Sequence, residues 1–125
     1  MRLTFLGKSS GGGQSPTLYS TDQGSYIVQG WIVTDSSILS RLHMADEETC
    51  IEIPAVLMAH LEKDGIIGEV TNIAPPIVYV KENGNYVVQG KRVDDADTLA
   101  QMDIPDHETC VELIKARIIA LVQAD

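Results

Sequence analysis

The sequence predicts one α+β domain in which two tandem β-β-α-β-α repeats pack about a pseudo-twofold axis. Three observations lead to this prediction. The chain matches itself at an offset of sixty residues, each matching unit begins with a β-hairpin pattern, and each continues with helix signals on both sides of a short strand. A chain of 125 residues suits one domain and buries roughly two-thirds of its unfolded surface, so no staples are required.

The internal duplication is the main evidence for the predicted repeats. Residues 16–61 align with residues 76–121 without a gap, and 16 of the 46 pairs are identical, whereas chance at ordinary residue frequencies gives roughly three. We therefore divide the domain into repeats at 16–64 and 76–124, a connector at 65–75 that packs through its apolar residues, and a flexible Gly/Ser-rich segment at 8–15.

Each repeat opens with a hairpin. Asn83-Gly84 is a strong hairpin signal because both turn residues can take positive φ, and Gln23-Gly24 holds the same place in the first repeat. The second hairpin strand is predicted at residues 26–33, and again at residues 86–93.

The remaining elements of each repeat follow from capping and breaking residues. Asp35 and Asp95 are predicted to cap short helices. Short strands follow at residues 49–53 and 109–113, and a longer helix then begins at Pro54 and ends at Gly65. A right-handed strand–helix–strand connection predicts a mixed sheet with helices on one face, and the two repeats are expected to join through their sheet edges.

Charge and hydropathy limit the partners. The net charge is −9, and the nine basic residues are scattered rather than gathered in a stripe, which argues against direct nucleic-acid or anionic-membrane binding. The N-terminal apolar run is too short for a signal peptide, and no apolar stretch reaches the length of a membrane span. We expect a cytoplasmic protein with reduced cysteines.

The chemistry-bearing residues predict no catalytic set. Cys50 and Cys110 occupy equivalent strand positions, but no histidine recurs between the repeats to act as a base. Both cysteines therefore read as buried hydrophobic residues. Three histidines and two cysteines show no zinc spacing. We predict no catalytic residue, no metal and no cofactor, and a non-enzymatic role is favoured although enzyme activity stays open.

A Gln-Gly pair recurs inside each second hairpin strand, as Gln29-Gly30 and Gln89-Gly90. A glycine inside a strand indicates a bulge or the close approach of another backbone. We expect each glutamine amide to bond a neighbouring backbone group.

The repeats also differ in an informative way. Trp31 and Leu57 of the first repeat correspond to Lys91 and Arg117 of the second. If equivalent positions are equally exposed, Trp31, Leu57 and Met58 form an apolar patch, and such patches mark interfaces. The leading hypothesis is therefore a non-enzymatic protein-interaction or regulatory module that forms a homo-oligomer or binds a protein partner.

Two alternatives stay open. The N-terminal arm, residues 3–6, could cover the apolar side chains within the chain itself. The protein could instead bind a small molecule, or act as an enzyme, at a site between the repeats that is lined by Gln29, Gln89, Glu52 and Glu112.

The runs Thr4-Phe5-Leu6-Gly7-Lys8, Ser15-Pro16-Thr17-Leu18-Tyr19, Tyr26-Ile27-Val28-Gln29-Gly30-Trp31 and Glu48-Thr49-Cys50-Ile51-Glu52-Ile53-Pro54 resemble small uncharacterised actinomycete proteins. These carry a duplicated Tyr-x-Val-Gln-Gly … Glu-Thr-Cys-x-Glu unit, and the resemblance covers nearly the whole chain. It implies a cytosolic protein encoded beside transcriptional regulators. It implies no catalytic residues, and it supports a regulatory role by association.

Overall fold

A computed structural model describes residues 1–9 and 16–122, and in this part of the chain it is mixed α+β with mostly strands. The strands are β1 (Leu3–Lys8), β2 (Thr17–Thr21), β3 (Ser25–Ile32), β4 (Glu48–Ile53), β5 (Ile77–Val80), β6 (Tyr86–Arg92) and β7 (Glu108–Ile114). The helices are α1 (Ser36–Leu39), a 3₁₀ helix (Ala55–Asp64), α2 (Ala96–Leu99) and α3 (Lys115–Val122).

The seven strands form one antiparallel sheet whose centre closes on itself. Strand β3 pairs with β4 and with β7, and β6 pairs with the same two strands. These four strands therefore make a closed ring, from which β2 and β1 extend beside β3 and β5 extends beside β6. The predicted mixed sheet is wrong, because each of the strand pairings in the described residues is antiparallel.

The long ladders of the ring join the two halves of the chain. Residues 25–31 of β3 pair with β7, and residues 48–53 of β4 pair with β6. In contrast, β3 and β4 share only two pairs, at Trp31 and Ile32. Within the ring, the sequence neighbours β3–β4 and β6–β7 thus share only two pairs each, and the main pairing crosses between residues 16–64 and 76–122.

Gly30 and Gly90 lie where β3 and β6 each exchange one partner for another. Strand β3 pairs with β2 up to Gln29 and with β4 from Trp31 onward. A Cβ at Gly30 would lie 2.7 Å from the backbone oxygen of Glu52, and a Cβ at Gly90 would lie 2.9 Å from that of Glu112. The prediction that another backbone approaches these glycines closely is confirmed.

The core fills the inside of the ring and the space beneath the 3₁₀ helix and α3. Strand residues such as Val28, Ile51 and Val88 pack there with Leu57 and Leu121. A smaller cluster lies on the outer face, where Ile38 of α1 packs against Cys50 and Val87. The opposite faces of β4 and β6 are therefore both partly covered, which explains why apolar residues fall on both sides of these strands.

Most of the predicted helix caps and helix ends are confirmed, and two local predictions need correction. Asp35 and Asp95 cap α1 and α2 as predicted, since their carboxylates accept from Ser37 N and Thr98 N. In the hairpin turns only the glycines, not Gln23 or Asn83, have positive φ within the described chain. The helix after Pro54 ends at Gly65 as predicted but is 3₁₀ rather than α, and three residues per turn place Met58 directly above Leu61 toward the core.

The connector packs against the core through only some of its apolar residues. Ile66 is buried and Val70 and Ala74 pack against the core, but Ile67 and Ile73 are exposed. Most of the predicted flexible segment 8–15, together with the end of the predicted second repeat at 123–124, lies outside the described residues. No helix in residues 1–9 and 16–122 has the length and apolar character needed to cross a bilayer.

Candidate functional site

A cleft of about 320 Å³ opens where β6, β7 and the first turn of α3 meet the start of β4. Its polar lining comes from Glu48, Gln89, Lys91, Glu112 and Arg117, and its apolar lining from Pro76, Leu113 and Ile114. This volume is at the lower end of the range for small-molecule sites, and convergent polar groups over an apolar floor are typical of them.

Strand register places three of the charged residues in one row. Lys91 of β6 lies directly opposite Glu48 of β4 on one side and directly opposite Glu112 of β7 on the other. Directly opposed residues project from the same face with Cβ atoms roughly 5 Å apart. The row therefore alternates acid, base and acid across three adjacent strands.

The two cations of the cleft are unpaired. Lys91 and Arg117 are exposed, and within the described part of the chain neither has an ion-pair partner or a hydrogen bond through its charged group. By contrast, Lys81 binds Glu52 at 2.9 Å and Lys115 binds Asp64 at 3.0 Å. The cationic groups of the cleft are thus available to a ligand.

Glu48 and Glu112 are each held in place through one carboxylate oxygen. Glu48 Oε1 accepts from Ala45 N at 3.0 Å and from Gln89 Nε2 at 2.9 Å. The backbone bond from Ala45 is the main reason that the pKa of Glu48 is lowered, and the nearby Arg117 adds to the effect. Glu112 Oε2 accepts from Ser25 Oγ at 2.7 Å. Among the described residues, no donor reaches the second oxygen of either group.

Half of the ligand-site residues expected from the sequence belong to this cleft. Gln89 and Glu112 line it, whereas Gln29 and Glu52 lie elsewhere. Gln29 is buried and donates to Glu108 Oε1 at 2.7 Å and to a backbone oxygen. The two oxygens of Glu52 are taken by Lys81 and Asn85. Both residues are therefore committed to structure.

Each glutamine amide bonds a backbone group, as predicted. Gln29 Nε2 donates to Asp103 O at 2.9 Å, and Gln89 Nε2 donates to His43 O at 3.1 Å. Each amide thus ties its strand to the loop that precedes an acidic residue of the other half. For Gln89 this bond fixes one wall of the cleft.

The predicted interface patch of Trp31, Leu57 and Met58 is wrong for two of its members. Leu57 is fully buried and Met58 is 6% exposed, because the 3₁₀ helix packs on the core and Leu6 of β1 joins the same cluster. Trp31 alone is partly exposed. The alternative, that the N-terminal arm covers these side chains, fits Leu57 and Met58.

Glu108 is the counterpart of Glu48 but has lost one partner. Its Oε1 accepts from Gln29, while its buried Oε2 has no hydrogen-bond donor among the described residues. Pro105 stands where Ala45 stands in the first half, and proline has no backbone N–H to donate. The exposed His107 ring places its Nε2 3.5 Å from Oε2.

The two cysteines are poor candidates for nucleophiles. Both are free and buried, as predicted. Burial raises the pKa of Cys50, and it raises the pKa of Cys110 to about 11. A thiol with a raised pKa carries little thiolate at neutral pH, and the thiolate is the reactive form.

We therefore expect both thiols to resist alkylation in the folded protein. With iodoacetamide at pH 8, intact-mass spectrometry should show no adduct within an hour, and two adducts once urea unfolds the chain, since unfolding exposes thiols with an ordinary pKa. A single rapid adduct without urea would show that one cysteine is activated.

Other features of the surface offer less. Two further clefts, of about 320 and 380 Å³, lie beside the 3₁₀ helix and beside α1. The first is lined mainly by apolar residues, and in the second Lys81 and Asp35 are engaged with Glu52 and Ser37. In residues 1–9 and 16–122 no three His, Cys, Asp or Glu side chains gather closely enough to hold a metal.

Comparison with known proteins adds no family. No family model matches this chain, and neither a curated protein nor a solved structure matches it significantly.

Proposed function

We propose that this protein is a non-enzymatic small-ligand-binding protein whose site is the cleft around Lys91. One observation carries the proposal: two unpaired cations, Lys91 and Arg117, converge on a cleft of about 320 Å³ in a protein of net charge −9. Unsatisfied charged groups that share a concave site are the usual mark of ligand recognition. No nucleophile–base pair lines the cleft in the described residues, so binding is favoured over catalysis.

We also propose that the two halves are copies of one β-β-α-β-α unit related by a pseudo-twofold axis. The crossed hydrogen bonds support this. Gln29 binds Glu108 of the second half, and sixty residues later Gln89 binds Glu48 of the first half. On this basis the site lies between the copies, because Glu48 belongs to one and the other polar lining residues belong to the second.

The protein-interaction hypothesis loses most of its support. With Leu57 and Met58 buried, the patch reduces to the partly exposed Trp31. A stable interface requires about 800 Å² from each partner, which one side chain does not supply. Self-association through Trp31 stays a prediction.

The ligand-binding proposal predicts that the cleft cations govern affinity. A library of small polar and anionic compounds, screened against ¹⁵N-labelled protein, should shift the amide signals of Gln89, Lys91 and Glu112. For a bound carboxylate compound, Arg117→Ala should weaken binding about tenfold to a hundredfold, since a charge-assisted hydrogen bond is lost.

Arg2→Ala is the matched control, because Arg2 is exposed and lies outside the cleft. It removes the same charge as Arg117→Ala but no contact with the ligand. The affinity should therefore change by no more than about twofold, which is the effect expected from the long-range electrostatic field alone. If no compound shifts the cleft signals, or if Arg2→Ala and Arg117→Ala weaken binding equally, the cleft is not the binding site.

A further inference from the structure

We infer that the ligand of this cleft is a zwitterion of the α-amino acid type with an apolar side chain. The inference rests on the proposed function and adds the chemical class of the ligand. Lys91 and Arg117 take the ligand's carboxylate, Glu48 and Glu112 take its ammonium group, and the apolar wall takes its side chain.

The charges along the row alternate in sign. Lys91 lies between Glu48 and Glu112 on adjacent strands, at roughly 5 Å spacing. An α-amino acid carries an anionic and a cationic group on one carbon, so the two groups can contact neighbouring side chains of opposite charge in this row. A ligand with a single charge pairs with the side chains of opposite sign in this row and lies beside those of the same sign. Such contacts between like charges are unfavourable.

The cleft presents atoms of both charge signs that lack a hydrogen-bond partner. Within the described residues, each carboxylate offers one oxygen without a donor, and neither cation has a hydrogen-bond or ion-pair partner. Glu48 and Glu112 are positioned through their other oxygens by Ala45, Gln89 and Ser25. The acceptors are thus oriented before the ligand arrives, which lowers the ordering cost of binding.

The electrostatic field of the whole protein also favours a ligand without net charge. A net charge of −9 opposes the approach of a simple anion. A zwitterion has no net charge and meets no such opposition, yet it still pairs with Lys91 and Arg117 once inside. The net negative charge therefore disfavours free carboxylates and phosphates, which the two cations alone would attract.

The apolar wall and the volume of the cleft limit the side chain and the size of the ligand. Pro76, Leu113 and Ile114 line the cleft, and Ile114 is 60% exposed. A ligand side chain that covers Ile114 removes exposed apolar surface from water, which favours binding. A cleft of about 320 Å³ accommodates one amino acid with a branched or aromatic side chain rather than a large cofactor.

The corresponding place in the first half does not offer the same site. There Trp31 stands in the row between Glu52 and Glu108, and the buried Leu57 takes the place of Arg117. Both oxygens of Glu52 are engaged, by Lys81 and Asn85, and Glu108 accepts from Gln29 through one oxygen and is buried away from any ligand. We therefore expect one ligand per chain.

The test compares L-leucine and L-phenylalanine with blocked analogues of each, by isothermal titration calorimetry and by ¹⁵N signal shifts. N-acetylation removes the ammonium charge, and amidation removes the carboxylate. For at least one parent amino acid we expect one site per chain and at least tenfold weaker binding of both blocked forms, because each blocked form loses one charge-assisted contact.

Glu112→Gln separates the two halves of the recognition. It should weaken the parent amino acid about tenfold and leave its N-acetyl form unaffected or tighter, since the ammonium partner is lost and the carboxylate partner is kept. Glu62→Gln, an exposed acid outside the cleft, is the matched control and should change neither.

The outcomes separate the class of ligand from the existence of the site. If the N-acetyl and parent forms bind equally, or if only other library compounds shift the cleft, the zwitterion inference is overturned while the cleft remains a binding site. If neither the amino acids nor any library compound shifts the cleft signals, both proposals are overturned.

Discussion

Gly30→Ala and Gly90→Ala should each lower the free energy of unfolding by about 3 kcal/mol, a value at the upper end for overpacking. The new methyl group at Gly30 would lie 2.7 Å from both Glu52 O and Ile53 Cγ2, and at Gly90 it would lie 2.6 Å from Leu113 Cδ2. A neighbouring side chain can rotate away, but the approaching backbone oxygen of Glu52 cannot do so without opening the β3–β4 pairs. Urea unfolding followed by circular dichroism measures the loss.

Gly24→Ala is the control for these two substitutions. Gly24 has φ of +72° and no atom within 4 Å of an added Cβ, so the substitution costs backbone strain alone, roughly 1 kcal/mol. If Gly30→Ala costs no more than Gly24→Ala, the strands at the crossing are further apart than described, and the closed ring of β3, β4, β6 and β7 is wrong.

Local features of the fold could be read from the sequence because each has a local cause. Asp35 and Asp95 cap helices because their carboxylates reach the next amides, and Gly65 ends the helix after Pro54 because it alone takes positive φ there. The Gln-Gly pairs reported a close backbone approach because only glycine leaves room for it. None of these inferences required knowledge of distant residues.

The sheet could not be read in the same way, because partner choice is non-local. The connection from β3 to β4 holds only the four-residue α1, whereas a parallel crossover usually carries a full helix. Strand β4 instead forms six pairs with β6 and only two with β3. The long ladders between the two halves contribute more hydrogen bonds than the short β3–β4 ladder. The residue pattern of a single strand does not predict which strand will be its main partner.

The site was partly visible from the sequence. Gln89 and Glu112 could be named because they recur, but Lys91 and Arg117 were noticed only as departures from Trp31 and Leu57. The predicted patch is wrong because it assumes that equivalent positions in the two repeats are equally exposed. The difference between the repeats at these two positions is the sequence signal for the cleft. Two cations in place of two apolar residues indicate a new binding site in the second repeat as readily as an apolar patch in the first.

Exchanging those residues should have unequal results, and Leu57→Arg should have the larger effect. Leu57 is fully buried among Leu6, Met58 and Leu61, so the substitution removes leucine packing and places an unpaired charge in the core. Loss of a buried leucine alone costs about 2–5 kcal/mol, and an uncompensated charge adds several more. Because small domains have only about 5–15 kcal/mol of stability, the variant should be unfolded at 25 °C by circular dichroism.

Arg117→Leu is the matched exchange, and it should leave the protein folded with a melting temperature within about 3 °C, since Arg117 is exposed and makes no ion pair in the described residues. The two outcomes together distinguish the core from the cleft at positions sixty residues apart. Had Leu57 belonged to an exposed interface, Leu57→Arg would fold normally and lose only partner binding. A folded Leu57→Arg variant would restore that hypothesis, because it would show that the 3₁₀ helix does not seal the core.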